Sequence, residues 1–362
     1  MHPNTPLSRC LQRENNNVDL LRLLAACAVI IGHSHALVPG GAAKPDFVGA
    51  LFREEYAGSL AVEFFFFLSG LVVCNSLIAR RDLLGFFITR GFRILPGLVV
   101  CLLLCVFALG GVFSTLPWRD YVAHPDTWRF LGRNLVLWPV WELPGVFQTN
   151  PNHAINGSLW TLRLAVLCYI GLFGFSAVGA LHSRLIGSLA MAAIILCAFT
   201  WPASMAMLGF NSTESSPLPA CFAFGALLAL NQDDCKISVW LWLGVVPAFL
   251  LLQQTAAYQV LLYGTVFYGA LVLASAPWEV KLKLSGDYSY GVYIYGYPVQ
   301  QSLVALWPEM NLQVHQGVAL MIAILLAVAS GRWVEKPSIG AGRRVSTWLK
   351  FKLFPRKSTR SL

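Results

Sequence analysis

The chain has 362 residues, 57% of them hydrophobic and only 12% charged, with a formal net charge of +9. Soluble domains carry about 25% charged residues, so this composition excludes one and requires a membrane. The positive balance, which in a soluble chain would suggest nucleic acid, here marks the loops on one side of a bilayer, and no nucleic-acid partner is expected.

Residues 1–17 are polar, with Asn15, Asn16 and Asn17 in a row, and lack the charged-then-apolar pattern of a signal peptide. Insertion is therefore expected to use internal spans. Apolar runs predict helices at about 18–36, 58–79, 92–114, 159–180, 186–202, 217–231, 238–253, 258–275, 288–307 and 316–334. The expected fold is thus all-α and polytopic, with about ten transmembrane helices. It divides into an N-terminal segment (1–17), a membrane domain (18–337) and a basic tail (338–362). The nine cysteines contain no Cys-x-x-Cys pair and mostly fall in apolar runs, so they read as small packing residues; no metal is expected.

An even number of spans puts both termini on one side. Of the 26 Lys and Arg, only Lys44, Arg53, Arg119, Arg129, Arg133 and Arg163 fall on the far side. The terminal side holds the rest, including Arg80, Arg81, Arg184, Lys236, Lys281 and Lys283. The positive-inside rule makes both termini cytoplasmic. The tail, with Arg343, Arg344, Lys350, Lys352, Arg356, Lys357 and Arg360, is expected against anionic headgroups, at roughly 1 kcal/mol per charge. The segments 37–57 and 115–158, rich in Trp, Pro and polar residues, face outward toward an acceptor.

Ionisable groups inside apolar runs are costly and mark candidate sites. Arg22 and His33 share the first run, and their eleven-residue spacing returns to within about 20° of one helix face while separating them by about 16 Å. Asp19 lies near enough to pair with Arg22, whereas His35 projects from another face. Arg90 and Arg93, one turn apart at the start of the third run, form a fork suited to phosphate, although positive-inside anchoring explains them too. Pro96, one turn deeper, is expected to kink that helix and free carbonyls. Glu63, beside four consecutive phenylalanines, needs a cationic or hydrogen-bonding partner; Glu335, at the inner end of the last run, reads as structural.

Taken together the segments resemble acyltransferase family 3, polytopic enzymes that modify bacterial surface and secreted glycans. The resemblance rests on Val18-Asp-Leu-Leu-Arg22 with His33, Phe-Phe-Phe-Leu-Ser69-Gly70, Arg90-Gly-Phe-Arg-Ile-Leu-Pro96, Asn156-Gly-Ser-Leu-Trp160-Thr-Leu162, Gly286-Asp-Tyr-Ser-Tyr-Gly-Val-Tyr293 and Trp333-Val-Glu335-Lys-Pro337. It implies a ten-helix core in a bacterial inner membrane, acetyl-CoA or another acyl-CoA as cytoplasmic donor, and a saccharide or lipid-linked glycan acceptor outside. It also implies functional importance for Arg22, His33, Arg90 and Arg93. In that scheme the three arginines hold the donor phosphates, and His33 is general base or transient acyl carrier. Glu63 is a further catalytic candidate, and Ser69, Ser158 and tyrosine hydroxyls are available to a tetrahedral intermediate. One departure stands out: where the family usually has Glu five residues after the Trp, this chain has Ala165. Two rival readings stay open, a proton-coupled transporter or flippase using His33, Glu63 and Arg22, and a catalytically impaired homologue.

Overall fold

The structure is a computed structural model describing residues 5–12, 16–41, 45–53, 55–80, 82–255, 257–275 and 286–353. Asn15, Lys44, Arg81, Lys281, Lys283, Arg356, Lys357 and Arg360, named above, lie outside the described residues. Every predicted apolar run is helical: α1 (Val18–Leu37), α2 (Ala57–Arg80), α3 (Leu83–Leu103), α4 (Trp160–Ala177), α5 (Arg184–Thr200), α6 (Leu218–Leu230), α7 (Val239–Leu251), α8 (Tyr258–Ala274), α9 (Ser289–Leu306) and α10 (Leu312–Ser330). A further helix, α11 (Lys336–Leu353), follows α10 through the π-helical stretch Gly331–Glu335. The two-residue strands β1 (Thr5–Pro6) and β2 (Lys236–Ile237) pair antiparallel.

Five helical stretches are long and apolar enough to cross a membrane: Val18–Leu37, Ala57–Ala79, Leu84–Phe113, Gly157–Ala177 and Leu312–Lys352. Helices α5 to α8 are apolar but shorter. Leu196, Leu251 and Leu325 are each more than half exposed on these helices, a surface that is stable in hydrocarbon and not in water. The chain is a multi-pass membrane protein.

Two boundaries differ from the sequence expectation. Helix α3 begins at Leu83 because the Asp82 carboxylate accepts from the Gly85 N–H at 3.0 Å and caps it. Arg90 and Arg93 therefore sit about two and three turns inside the helix and not at its opening. The described part of the basic tail is the helix α11, which packs on α3: Gly342 lies against Phe92, and Lys350 forms an ion pair with Asp82.

Backbone contacts divide the chain into two compact units. The first comprises Met1–Gly32, Pro45–Ala79 and Thr161–Ser289. Its core is aromatic: the Phe67 and Phe267 rings stack at 4.6 Å, Tyr263 and Phe267 at 5.5 Å, and Phe64 leans on Phe267 at 6.1 Å. Helices α2 and α6 touch backbone to backbone. A Cβ on Gly70 would fall on the Phe222 carbonyl, and one on Gly225 on the Phe67 carbonyl. Small residues permit this approach, and without a hydrophobic drive between helices in lipid it is van der Waals contact that holds them.

The second unit comprises His33–Lys44, Arg80–Trp160 and Tyr290–Leu362. Here α3 continues through the π-helical stretch Leu104–Leu109 into Gly110–Phe113, and the polar segment that follows folds as two short helices, Trp118–Ala123 and Pro125–Leu135. Tyr121 is fully buried and donates to the Val106 carbonyl at 2.8 Å, tying this cap to the end of the membrane helix. Burial pushes its hydroxyl up to about 12, so it stays protonated and keeps donating at any physiological pH.

Because the atom facing Gly70 and Gly225 is a backbone carbonyl that cannot swing aside, Gly70→Ala and Gly225→Ala should each cost about 1–3 kcal/mol or more. Thermal unfolding in detergent should show a clear drop for both. Gly171→Ala, with nothing within 4 Å of its Cβ, should show none. Unchanged unfolding temperatures for the first two would refute the close helix contact.

Candidate functional site

Helix α9 organises the second unit through its polar side chains. Tyr290, Tyr293 and Tyr297 recur at three- and four-residue spacing and so share a face. Tyr290 donates to the Ile94 carbonyl of α3 at 2.7 Å, next to Gly97, whose missing Cβ admits the ring. Tyr293 donates to the Ser158 carbonyl at 3.1 Å, and Tyr295 to Ser330 Oγ of α10 at 3.3 Å. Gly291 lies against the Ala327 backbone of α10. The motif ending at Tyr293 is therefore a docking strip for three neighbouring segments.

Pro298 sits inside α9 and has no N–H, which leaves the Ile294 carbonyl, four residues back, without its helical donor. Asn156 Nδ2 supplies one at 2.8 Å, and the Cys101 thiol adds a weaker bond at 3.3 Å. The Asn156 Oδ1 meanwhile accepts from the Ser158 N–H at 3.1 Å. Gly157 lets Tyr297 come close, since a Cβ there would stand 2.5 Å from its ring. The Asn-Gly-Ser segment is thus a plug for a proline-freed carbonyl and a seat for Tyr297. Gln301 clamps the approach to it, donating to the Asn152 and Ala154 carbonyls at 2.6 and 2.7 Å and accepting from Asn150 at 2.9 Å.

Tyr297 in turn holds His33. The two rings meet edge to face, centroids 5.1 Å apart and planes at 78°. His33 Nδ1 is buried with no hydrogen-bond partner among the described residues. A buried ring nitrogen without a partner is costly unless a water, an ion or a ligand meets it. His35 is placed differently. Its Nδ1 lies 3.3 Å from the Gly41 carbonyl, so it closes the turn after α1.

Arg90 and Arg93 lie in the same unit, on α3, with the Arg90 guanidinium 5.5 Å from the centre of the Phe86 ring. Glu335 is buried and accepts from Ser330 Oγ at 2.9 Å, which ties it into the Tyr295 network as a structural acceptor. Trp160 begins α4 directly after the Asn156 segment.

In the first unit, Arg22 pairs with Asp287 at 3.4 Å, and its Nε is buried with no hydrogen-bond partner among the described residues. Asp287 also accepts from the Ser289 N–H at 3.1 Å, so the Gly286-Asp segment presents its carboxylate to α1 by way of an Asx turn. Asp19 lies in the first turn of α1. Glu63 finds the hydrogen-bonding partner that its position demands: the Tyr263 hydroxyl reaches Glu63 Oε1 at 2.7 Å and Glu55 Oε1 at 3.0 Å. Ser59 donates to Glu55 Oε2 at 2.5 Å, while Glu63 Oε2 is buried without a partner among the described residues. Ser69 and Ala165 are partly buried on α2 and α4.

Tyr297, Asn156, Pro298, Glu55 and Tyr263 escaped the sequence reading as functional positions. The available signals were the tyrosine periodicity along 290–297 and a proline inside an apolar run.

If Asn156 plugs the carbonyl that Pro298 frees, the two positions are energetically coupled. Asn156→Ala should cost about 1–3 kcal/mol, the usual penalty for an orphaned buried polar group. In a Pro298→Ala background, where residue 298 regains its N–H, the same change should cost at least about 1 kcal/mol less. A double-mutant cycle on unfolding in detergent measures this, and strict additivity would rule the plug out.

The family described as an acyltransferase domain, acyltransferase family 3, matches residues 15–332. An O-acetyl transferase of Shigella phage Sf6 is 30% identical over 346 residues, covering 89% of this chain and 96% of that protein. Nodulation protein 10 of Rhizobium leguminosarum bv. viciae is 24% identical over 317 residues, 80% of this chain and 84% of that one. No solved structure matches. With its motifs seated as described and the family spanning nearly its whole length, the chain belongs to acyltransferase family 3 and is an acyltransferase.

Proposed function

We propose that this acyltransferase is a ten-span O-acetyltransferase of a bacterial inner membrane, with both termini cytoplasmic. It moves an acetyl group from cytoplasmic acetyl-CoA to a hydroxyl of an extracytoplasmic saccharide or glycolipid. The observation that carries the proposal is His33, whose ring packs edge to face on Tyr297 and whose buried Nδ1 has no hydrogen-bond partner among the described residues, an arrangement suited to a base. The Lys and Arg asymmetry supports the orientation, and the similarity to the phage Sf6 O-acetyl transferase supports acetyl as the group moved.

The donor supplies an activated thioester carbonyl and a phosphate-rich handle. Arg90 and Arg93, one turn apart on α3, fit such phosphates as charge-assisted donors. His33 takes the proton of the acceptor hydroxyl as the new C–O ester bond forms, and gives a proton to the departing sulfur as the C–S bond breaks. The Tyr297 ring keeps the imidazole oriented throughout.

Proteoliposomes holding acetyl-CoA inside and a de-O-acetylated surface polysaccharide outside test this directly. Ester should form on the polysaccharide. His33→Ala should abolish it, whereas His35→Ala should keep it, because His35 Nδ1 faces the Gly41 carbonyl and closes the turn after α1. Arg90→Ala or Arg93→Ala should raise the KM for acetyl-CoA tenfold or more, with Lys restoring it only in part. Full activity of His33→Ala at equal expression would remove that residue from the chemistry.

Ala165 favours a second reading, in which this chain is an impaired or compensated member of the family. A methyl cannot orient an imidazole or accept a proton, so the role of the usual Glu is either lost or carried elsewhere. Glu63, half unpartnered in its cluster with Tyr263 and Glu55, is the compensating candidate within the same unit. Ala165→Glu should raise transfer by about 10²–10⁴-fold if the chain is impaired, the range for a positioned acid or base. If Glu63 compensates, that change should be neutral or harmful and Glu63→Gln should be the damaging one. The two variants assayed side by side decide the matter.

A further inference from the structure

The polar segment between α3 and α4 is a built structure. Connections of this length without a core of their own are uncommon unless functional. Tyr121 anchors it to Val106, and Thr127 Oγ1 donates to the Tyr121 carbonyl at 2.7 Å. Asn134 Nδ2 holds both the Phe130 and Val140 carbonyls, at 2.9 and 3.0 Å. Ser114 bridges to Val146 in antiparallel fashion, and Ser114 Oγ donates to the Pro144 carbonyl at 2.8 Å. Two non-glycine residues, Leu137 at φ 58° and Phe147 at φ 55°, occupy the left-handed region. Each such residue costs about 1–3 kcal/mol and persists only where its surroundings hold it.

The run between those two strained residues forms one wall of a cavity of about 470 Å³, within the ~300–1,000 Å³ usual for small-molecule sites. The start of the helix Pro125–Leu135 forms the other wall. His124, Asp126, Arg129, Glu142 and Gln148 supply its polar groups. His124 Nδ1 accepts from the Asp126 N–H at 3.2 Å, which makes Nε2–H the outward donor. Arg129 stands 3.6 Å from Asp126 and keeps its other N–H groups available. Glu142 makes no hydrogen bond or ion pair with the described residues, and Gln148 spends only its Nε2, on the Val146 carbonyl at 3.3 Å. Leu116, Val140 and Pro144 complete the cavity with apolar surface.

Donors and acceptors interleaved over apolar surface match a ring bearing vicinal hydroxyls on one side and C–H bonds on another. Two carboxylates against one guanidinium disfavour an anionic ligand. We infer that this cavity is a recognition subsite for a neutral saccharide segment of the acceptor, with Glu142 and Asp126 accepting from sugar hydroxyls and Arg129 donating to sugar oxygens. The inference rests on the acetyl-transfer reading above and adds residues that select the acceptor while taking no part in the reaction.

The test uses the full chain in proteoliposomes and an alkali-de-O-acetylated neutral surface polysaccharide from the producing strain. Its binding is measured first without acetyl-CoA, and its acetylation afterwards. Glu142→Ala and Arg129→Ala should each weaken polysaccharide binding tenfold or more and raise its KM to match. The KM for acetyl-CoA and the unfolding temperature should not move, because both side chains are exposed. Glu142→Gln and Arg129→Lys should recover part of the loss. Weakened binding in the variants upholds the subsite even if no acetyl is transferred, an outcome that would count against the transfer reading alone. Wild-type affinity in both Ala variants, or a wild-type chain that does not bind the polysaccharide, would overturn the subsite.

Discussion

A proline in the middle of a buried helix leaves a carbonyl without its helical donor, and much of the second unit is arranged around that one group. Pro298 orphans the Ile294 oxygen, and an unmet buried backbone polar group costs about 1–3 kcal/mol. Asn156 meets it from a segment far away in sequence. Because the same asparagine also caps the Ser158 N–H, the stretch 156–158 is pinned at both ends, and Gly157 then opens the space in which Tyr297 stands. Tyr297 fixes His33. The chain of dependence runs from a missing N–H to the orientation of an imidazole, and each link is a short-range contact with no slack.

The first unit shows the same constraint solved with acids. Glu63 and Glu55 converge on one tyrosine hydroxyl, and Glu63 Oε2 stays buried without a partner among the described residues. Arg22 likewise meets Asp287 while its Nε has no hydrogen-bond partner among the described residues. Shortfalls of this kind are rare in settled cores and concentrate where ligands or protons complete the set. They stand in contrast to the Gly70 and Gly225 crossing, where small residues pack backbone on backbone.

The polar segment after α3 divides its groups along another line. Backbone donors and acceptors are consumed internally, by Asn134, Ser114 and Thr127, while charged side chains such as Glu142 face the open cavity. A segment that spends its hydrogen bonds on holding its own shape can present side chains at fixed positions, and preorganisation of that kind lowers the entropic cost of recognition.

Composition and hydropathy determined, without any coordinates, that this is a helical membrane protein and where its helices lie, because a span must be apolar whatever it packs against. Charge in apolar runs likewise flagged Arg22, His33 and Glu63, since burial of such groups is costly in any fold. The motif order pointed to the family for the same local reason. Tertiary structure alone decided the partners. The sequence indicated that Glu63 needed one but carried no sign that Tyr263 and Glu55, the latter just before α2, would be those groups. It showed Pro298 in an apolar run but not that Asn156 answers it from more than a hundred positions away. Helix ends moved for related reasons: α3 starts early because Asp82 caps it, and the basic tail becomes a helix because Gly342 and Lys350 find Phe92 and Asp82 on α3. Local chemistry is periodic and can be read residue by residue, whereas a hydrogen bond between distant segments exists only once the chain has closed the loop that joins them.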